Sequence, residues 1–264
     1  MLAFPEIDPV AIAIGPVKIH WYGLMYLFGF ASVFALGIWR TKRKTYLPVK
    51  PAQMEELVFS GAVGLIIGAR VGYVFFYGLG NWGQDILYPF KIWDGGMSFH
   101  GGLLGVMVAM WLFSRKIKRH FVDIMDFLVP FCPVGLFFGR IGNFIGGELY
   151  GRVTDHPWAM IFPTDPTQQP RHPSQLYEAF LEGIVLFIIL MLFSNAKRPR
   201  FAVSGLFLLG YGAFRFSVEF VREPDAHIMF DLFDWMTRGQ ILCVPMIVGG
   251  LGLLVWAYTK EKKG

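Results

Sequence analysis

The sequence predicts an all-α integral membrane protein of seven transmembrane helices, with a small loop-rich head region on the outward-facing side. Three observations predict it. The chain of 264 residues is 55% hydrophobic and 17% aromatic but only 16% charged, well under the ~25% charged residues usual in soluble domains. Seven windows stay mostly apolar over the ~20 residues a helix needs to cross a bilayer. The basic residues gather in short runs that follow alternate windows, the pattern by which a multi-pass chain is oriented.

The first window is 17–39. The segment before it carries Glu6 and Asp8 where a secretory leader would be positive, and no small-residue cleavage site follows, so no part of it is expected to be removed. The second window, 55–78, places Gly61, Gly64, Gly68 and Gly72 at spacings of three and four, a small-residue face suited to close helix packing. Arg70 lies inside it and needs either an ion-pair partner or a lipid headgroup. Windows three to seven are 97–114, 121–138, 176–194, 201–220 and 240–259.

The runs Arg40-Thr-Lys-Arg-Lys44, Arg115-Lys-Ile-Lys-Arg119, Lys197-Arg-Pro-Arg200 and Lys260-Glu-Lys-Lys263 follow windows one, three, five and seven. Their agreement assigns them to the cytoplasmic side, with the N-terminus outward and the C-terminus inward. The outward connections are then 79–96, the long 140–175 that forms the head, and 221–239. The whole of 1–264 reads as one membrane-embedded catalytic domain. A net charge of +5 bunched in this way reflects topology, and no nucleic-acid partner is expected. Cys132 and Cys243 lie in apolar segments without a C-x-x-C motif and read as packing residues.

Polar residues that lipid would not tolerate collect at the outward ends of the windows. In Trp93-Asp-Gly-Gly-Met-Ser-Phe-His100, the histidine enters about one turn into the third span, either as a general base near neutral pH or as an interfacial residue bonded to a carbonyl. In the stretch Gly139 to Arg152, glycines permit close backbone approach while Arg140 and Arg152 offer guanidinium forks to an anion. Arg171-His-Pro-Ser-Gln-Leu-Tyr-Glu178 opens the fifth span, with Pro173 and Ser174 as helix-start residues. Glu178 and Glu182, four apart, share a face and suit pairing with an arginine. Tyr211, Arg215, Glu219 and Arg222 form one stripe on the sixth span, lining a polar cavity or building an ion-pair ladder. There is no P-loop and no His-Glu-x-x-His motif, and the six histidines are scattered, so neither a metal nor another cofactor is expected. Ser98 and His100, two apart, point to different helix faces and do not make a protease pair.

Together these segments resemble the prolipoprotein diacylglyceryl transferase family. The likeness runs through His20-Trp-Tyr22-Gly-Leu-Met, His100-Gly-Gly-Leu, the Gly139 to Arg152 stretch, His172-Pro-Ser-Gln-Leu-Tyr-Glu178 and Tyr211-Gly-x-Phe-Arg215-Phe-x-x-Glu219-Phe-x-Arg222, in that order. Gly146 departs from the asparagine common in the family. The resemblance implies a bacterial inner-membrane enzyme with a periplasmic head and N-terminus. It would move the diacylglyceryl group of phosphatidylglycerol to the lipobox cysteine of a prolipoprotein signal peptide, releasing glycerol 1-phosphate, the first step of lipoprotein maturation. Its partners are then phosphatidylglycerol, prolipoproteins and membrane lipids. It further implies catalytic roles for His100, Arg140, Arg215 and Glu219. Contacts to phosphatidylglycerol are implied for Arg140, Tyr22, Asn143, Glu148, Gly151, Glu178, Tyr211 and Arg222. Two other readings of the polar clusters are a transporter or lipid-binding scaffold without chemistry, and an acyltransferase that leaves a lysophospholipid.

Overall fold

The structure, a computed structural model, describes residues 2–5, 7–223, 230–232 and 236–261. Glu6, part of the 221–239 connection and the last residues of the basic tail lie outside the described residues. The chain divides into two compact units, Met1–Val33 with Leu128–Gly264, and Phe34–Phe127. Among the described residues, five helices are long and apolar enough to cross a membrane: Trp21–Arg43, Pro51–Tyr77, Phe121–Ile145, Ser174–Phe193 and Arg238–Lys260. Helices Phe99–Lys116 and Ala202–Val218 occupy the two remaining windows; they are 18 and 17 residues long. Among the described residues there are also three two-stranded antiparallel pairings, which hydropathy did not foresee.

In the unit Phe34–Phe127, α2 (Met54–Tyr77) packs on α4 (Phe99–Lys116) through the glycine stripe. A Cβ on Gly64 would lie 2.6 Å from the Gly105 carbonyl oxygen, and one on Gly72 2.8 Å from the Gly101 Cα. No side chain fits there, so the backbones themselves make the contact. On the outer faces of α2, Phe59, Ile67, Val71 and Phe75 remain exposed, as a helix bathed in hydrocarbon requires.

Arg70 corrects both expectations held for it. Buried in α2, it donates from Nε to the Pro89 carbonyl (3.0 Å), from Nη2 to Tyr88 (2.6 Å) and from Nη1 to Gly95 and Gly96 (2.5 and 3.2 Å). Its guanidinium also lies 4.9 Å from the Tyr88 ring centroid. The partners are backbone carbonyls of the segment 88–96, so one buried cation gathers the connection that contains α3 (Leu79–Gln84).

In the other unit, the first window begins as strand. β1 (Val10–Ile14) pairs with β2 (Val17–His20) across a turn at Gly15, and α1 starts only at Trp21. The alternation Val17-Lys-Ile-His explains this, and the turn places Gly15 at φ 58°, where glycine alone carries no Cβ penalty. The fourth window ends later than expected. It opens with α5 (Phe121–Leu128), all but Leu128 of which belongs to the unit Phe34–Phe127, and continues through a 3-10 turn at Val129–Phe131 into α6 (Cys132–Ile145), so that Arg140 is a helical residue and not part of a glycine loop.

The fifth window is α7 (Ser174–Glu178), a π-helical stretch (Ala179–Val185) and α8 (Leu186–Phe193). Val129, Leu186, Leu190 and Val203 form a core with α9 (Ala202–Val218), which contributes Leu206, Phe207, Tyr211 and Phe214. The last helix, α10 (Arg238–Glu261), buries Cys243. Cys132 is exposed, so the packing role expected for both cysteines holds for Cys243 alone.

Residues 146–173 are mostly irregular but ordered around a small hydrophobic core of Phe144, Met160 and Phe162, with Phe4, Tyr150 and Leu176 against it. The strand pair β3 (Met160–Ile161) and β4 (Pro170–Arg171) closes this segment.

Candidate functional site

The unit that contains α6 to α10 holds a network of guanidinium and carboxylate groups. Glu178, fully buried at the end of α7, accepts from Arg215 Nη1 at 2.8 Å. It also lies 3.2 Å from Arg140 Nη1 and 4.0 Å from Arg222 Nε. Arg215 Nη2 reaches Glu219 Oε2 at 2.7 Å, and Arg222 Nη1 lies 3.8 Å from the same oxygen. Thr237 donates its hydroxyl to Glu219 Oε1 at 2.9 Å. Arg140 Nη2 is 3.6 Å from Glu182 Oε2.

Each residue reaches the network for a local reason. Arg215 and Glu219 are one helical turn apart at the end of α9, and the turn that follows brings back Arg222. Arg140 sits one turn before the end of α6, which packs so closely on the π-helical stretch that a Cβ on Gly183 would lie 2.7 Å from Phe137 Cβ. Tyr211, one turn before Arg215, packs in the apolar core while its hydroxyl interacts electrostatically with Glu182, Arg140 and Arg215.

The network is polarised. The Glu178 and Glu182 side chains are 0% exposed and that of Glu219 3%, whereas those of Arg140, Arg215 and Arg222 are 16%, 13% and 12% exposed. The carboxylates are the more deeply buried partners, and what exposure the network keeps belongs to the arginine side chains. An apolar medium could not hold these cations alone; with buried counter-charges paired to them they present preorganised donors to an anion.

Tyr22 and Glu148 flank a second feature, a cavity of about 730 Å³ lined also by Lys18, Ile19, His20 and Gly23. α1 approaches α6 here, since a Cβ on Gly142 would meet Tyr22 Cδ2 at 3.1 Å. Asn143 is buried in the last turn of α6, and its carbonyl accepts the Glu148 N–H at 2.9 Å, which folds Glu148 back over the helix end. The Tyr22 hydroxyl feels the charges of both Glu148 and Arg140, so this cavity adjoins the network electrostatically.

Gly151 has a geometric role. Its N–H donates to the His172 carbonyl at 2.8 Å, it bridges to Arg222, and a Cβ there would lie 2.5 Å from the Val221 carbonyl oxygen. Three segments cross at this point, and the Arg152 Nε donates to the Arg222 carbonyl at 3.0 Å. Beneath it, Arg171 pairs with buried Asp165 through Nε at 2.5 Å and Nη2 at 3.3 Å. Burial alone would raise the Asp165 carboxyl, but hydrogen bonds from Arg171 and Thr167 outweigh it and hold the group well below the usual carboxylate range. Burial lowers the nearby His172, and the charge of His156 adds to the effect.

His100 belongs to the other unit. It is the second residue of α4, exposed at the helix start rather than a full turn inside, and Ser98 caps that helix by accepting from the Gly101 N–H at 3.2 Å. Among the expected residues, Arg140, Glu178, Arg215, Glu219 and Arg222 form one network, with Tyr211 beside it; Tyr22 and Glu148 line the adjoining cavity, and the Asn143 carbonyl holds the Glu148 backbone. Glu182 was marked only by its spacing from Glu178, and nothing in the sequence singled out Asp165 or Thr237. Among the described residues, no set of three or more His, Cys, Asp or Glu side chains is arranged to hold a metal ion.

A family model described as "Prolipoprotein diacylglyceryl transferase" matches residues 9–256, a stretch that includes every residue of both features. Relatives named phosphatidylglycerol–prolipoprotein diacylglyceryl transferase align over nearly the whole chain. The protein of Methylococcus capsulatus is 55% identical over 99% of each chain. That of Teredinibacter turnerae is 56% identical over 98% of this chain and 93% of its own. That of Coxiella burnetii is 53% identical over 100% of both. With the match running from the first hairpin into the last helix, the chain belongs to the prolipoprotein diacylglyceryl transferase family.

Proposed function

We propose that this protein transfers the sn-1,2-diacylglyceryl group of phosphatidylglycerol to the lipobox cysteine of prolipoproteins, opening lipoprotein maturation. The single observation that carries the chemistry is the polarised arginine network, which suits a phosphate whose negative charge grows as the bond breaks. The cysteine sulfur attacks the glyceryl carbon, a C–S bond forms, the C–O bond to phosphate breaks, and glycerol 1-phosphate leaves with that electron pair. Arg140 and Arg215 bind and stabilise the phosphate. Glu219 orients Arg215, with which it forms an ion pair at 2.7 Å. His100 takes the thiol proton, a modest task for a thiol of pKa ~8.5. Tyr22, Asn143, Glu148, Gly151, Glu178, Tyr211 and Arg222 complete the headgroup site through direct contact or by holding the arginines.

The same reading makes 1–264 one catalytic domain of seven spans in the bacterial inner membrane. Its N-terminus and the 140–175 head face the periplasm, and its C-terminus the cytoplasm. The alternation of basic runs supports that orientation. Purified protein, phosphatidylglycerol and a lipobox peptide are expected to yield a diacylglyceryl thioether and glycerol phosphate, with no product from a Cys-to-Ser peptide. A folded protein that makes no thioether overturns the reading. Release of lysophospholipid would point to acyl transfer instead.

A further inference from the structure

Glu178 alone pairs with all three arginines of the network, and Glu182 is the carboxylate held by a single one. Three guanidinium groups and three carboxylates are linked by ion pairs, so the linked set is neutral before an anion arrives. An arriving phosphate must therefore compete with a carboxylate for an arginine edge. Glu178 has three arginine partners and Glu219 has two plus the Thr237 hydroxyl. Glu182 has one, Arg140 Nη2 at 3.6 Å, and neither of its fully buried oxygens has a hydrogen-bond partner. It is the least satisfied of the three, and a buried carboxylate left in this condition is costly.

The backbone puts it there. Glu182 lies in the middle of the π-helical stretch Ala179–Val185, a rare conformation found most often at functional sites. Four residues exceed one α-helical turn of 3.6 but fall short of one π turn, so Glu178 and Glu182 are both carried to the same side of Arg140. Around Glu182 stand Arg140 from α6, Tyr211 and Arg215 from α9, Glu178 from its own helix, and the thiol of Cys243 on α10 within electrostatic range.

We propose that Glu182 is a positioning residue: a deliberately weak counter-ion that keeps the Arg140 fork extended while the site is empty and yields Nη2 to the headgroup phosphate. The proposal rests on the phosphatidylglycerol reading above. Glu182 thus weakens ground-state binding of the anionic lipid and, in return, presents Arg140 in the orientation the reaction uses. The signature is a fall in both KM and kcat when the charge is removed, the pattern of lost ground-state opposition.

The test is Glu182→Gln, nearly isosteric and neutral, assayed with phosphatidylglycerol in mixed micelles and a lipobox peptide. KM for the lipid is expected to fall about 10-fold and kcat by about 10-fold or more, each corresponding to about 1.4 kcal/mol. Glu182→Asp keeps the charge but withdraws it by one methylene, and is expected to lower KM by a smaller factor with most of kcat retained. Should the glutamine variant not fold, the aspartate variant decides by the same sign. A KM unchanged or raised in the folded variants overturns the proposal, since a purely structural carboxylate has no reason to oppose lipid binding. Wild-type protein that turns over normally beside unmoved variants refutes this inference alone. Wild-type protein inert toward phosphatidylglycerol refutes the functional reading itself.

Discussion

Replacing Glu178 by alanine would remove the most connected group in the network. Its carboxylate is fully buried and lies 2.8, 3.2 and 4.0 Å from Arg215, Arg140 and Arg222. Removing one member of a buried ion pair costs about 3–5 kcal/mol, because the partner charge stays behind uncompensated. Here the arginine side chains keep 12–16% of their surface and Glu182 and Glu219 remain, so the low end, about 3 kcal/mol, applies. At roughly 2–4 °C per kcal/mol for a chain of this size, Tm should fall by about 6–12 °C. Glu178→Gln, which retains a carbonyl acceptor for Arg215, should lose less. Turnover should disappear in the alanine variant even well below its Tm, because Arg140 and Arg215 no longer share an anchor. Melting in detergent and the peptide assay measure both effects. A Tm within about 2 °C of wild type together with retained turnover would refute the reasoning that Glu178 is the hub, since the structural cost worked above amounts to several times that shift.

Arg140→Ala and Arg215→Ala are each expected to lower kcat by at least about 100-fold, the scale of losing a preorganised donor. The lysine variants should recover only part of it because a point charge does not replace a fork. His100→Ala should cost about 100-fold or more if the histidine is the base; near-wild-type kcat would remove it from that role. For Asp165, the folded carboxyl is held below its unfolded value, so its pair with Arg171 stabilises fully above about pH 5. That contribution is lost as pH falls below ~3.9, the unfolded pKa, toward the lowered folded one. Asp165→Asn should therefore have a lower Tm at pH 7 and a shallower loss of Tm down to pH 3.5, whereas parallel curves for the two proteins would contradict the assignment.

Much of this was legible in the residues because it depends on period and solvent. Glycines at three- and four-residue spacing in 61–72 had to face close packing, and Gly64, Gly68 and Gly72 meet the backbone of Gly101 and Gly105, while Gly61 faces the Met110 side chain. Arg215, Glu219 and Arg222 had to share a stripe. What escaped was conformation set by a few local residues: the Val17–His20 strand in place of a helix start, the continuation of α6 past Arg140, and the π-helical stretch under Glu182. Hydropathy averages over windows of about twenty residues and cannot resolve a four-residue strand or one wide helical turn.

By itself, the sequence determined that the chain carries long apolar spans suited to lipid and that arginines and glutamates had to meet somewhere out of lipid's reach, because a lone charge in hydrocarbon is prohibitively costly. Which arginine meets which carboxylate was decided only by the tertiary structure. Arg140 and Glu178 come from different helices, 38 positions apart, and their pairing depends on how closely α6 packs on the π-helical stretch. Arg70 marks the same boundary. That it needed partners was evident from its place in an apolar span, but that the partners are four backbone carbonyls could come only from the folded connection itself.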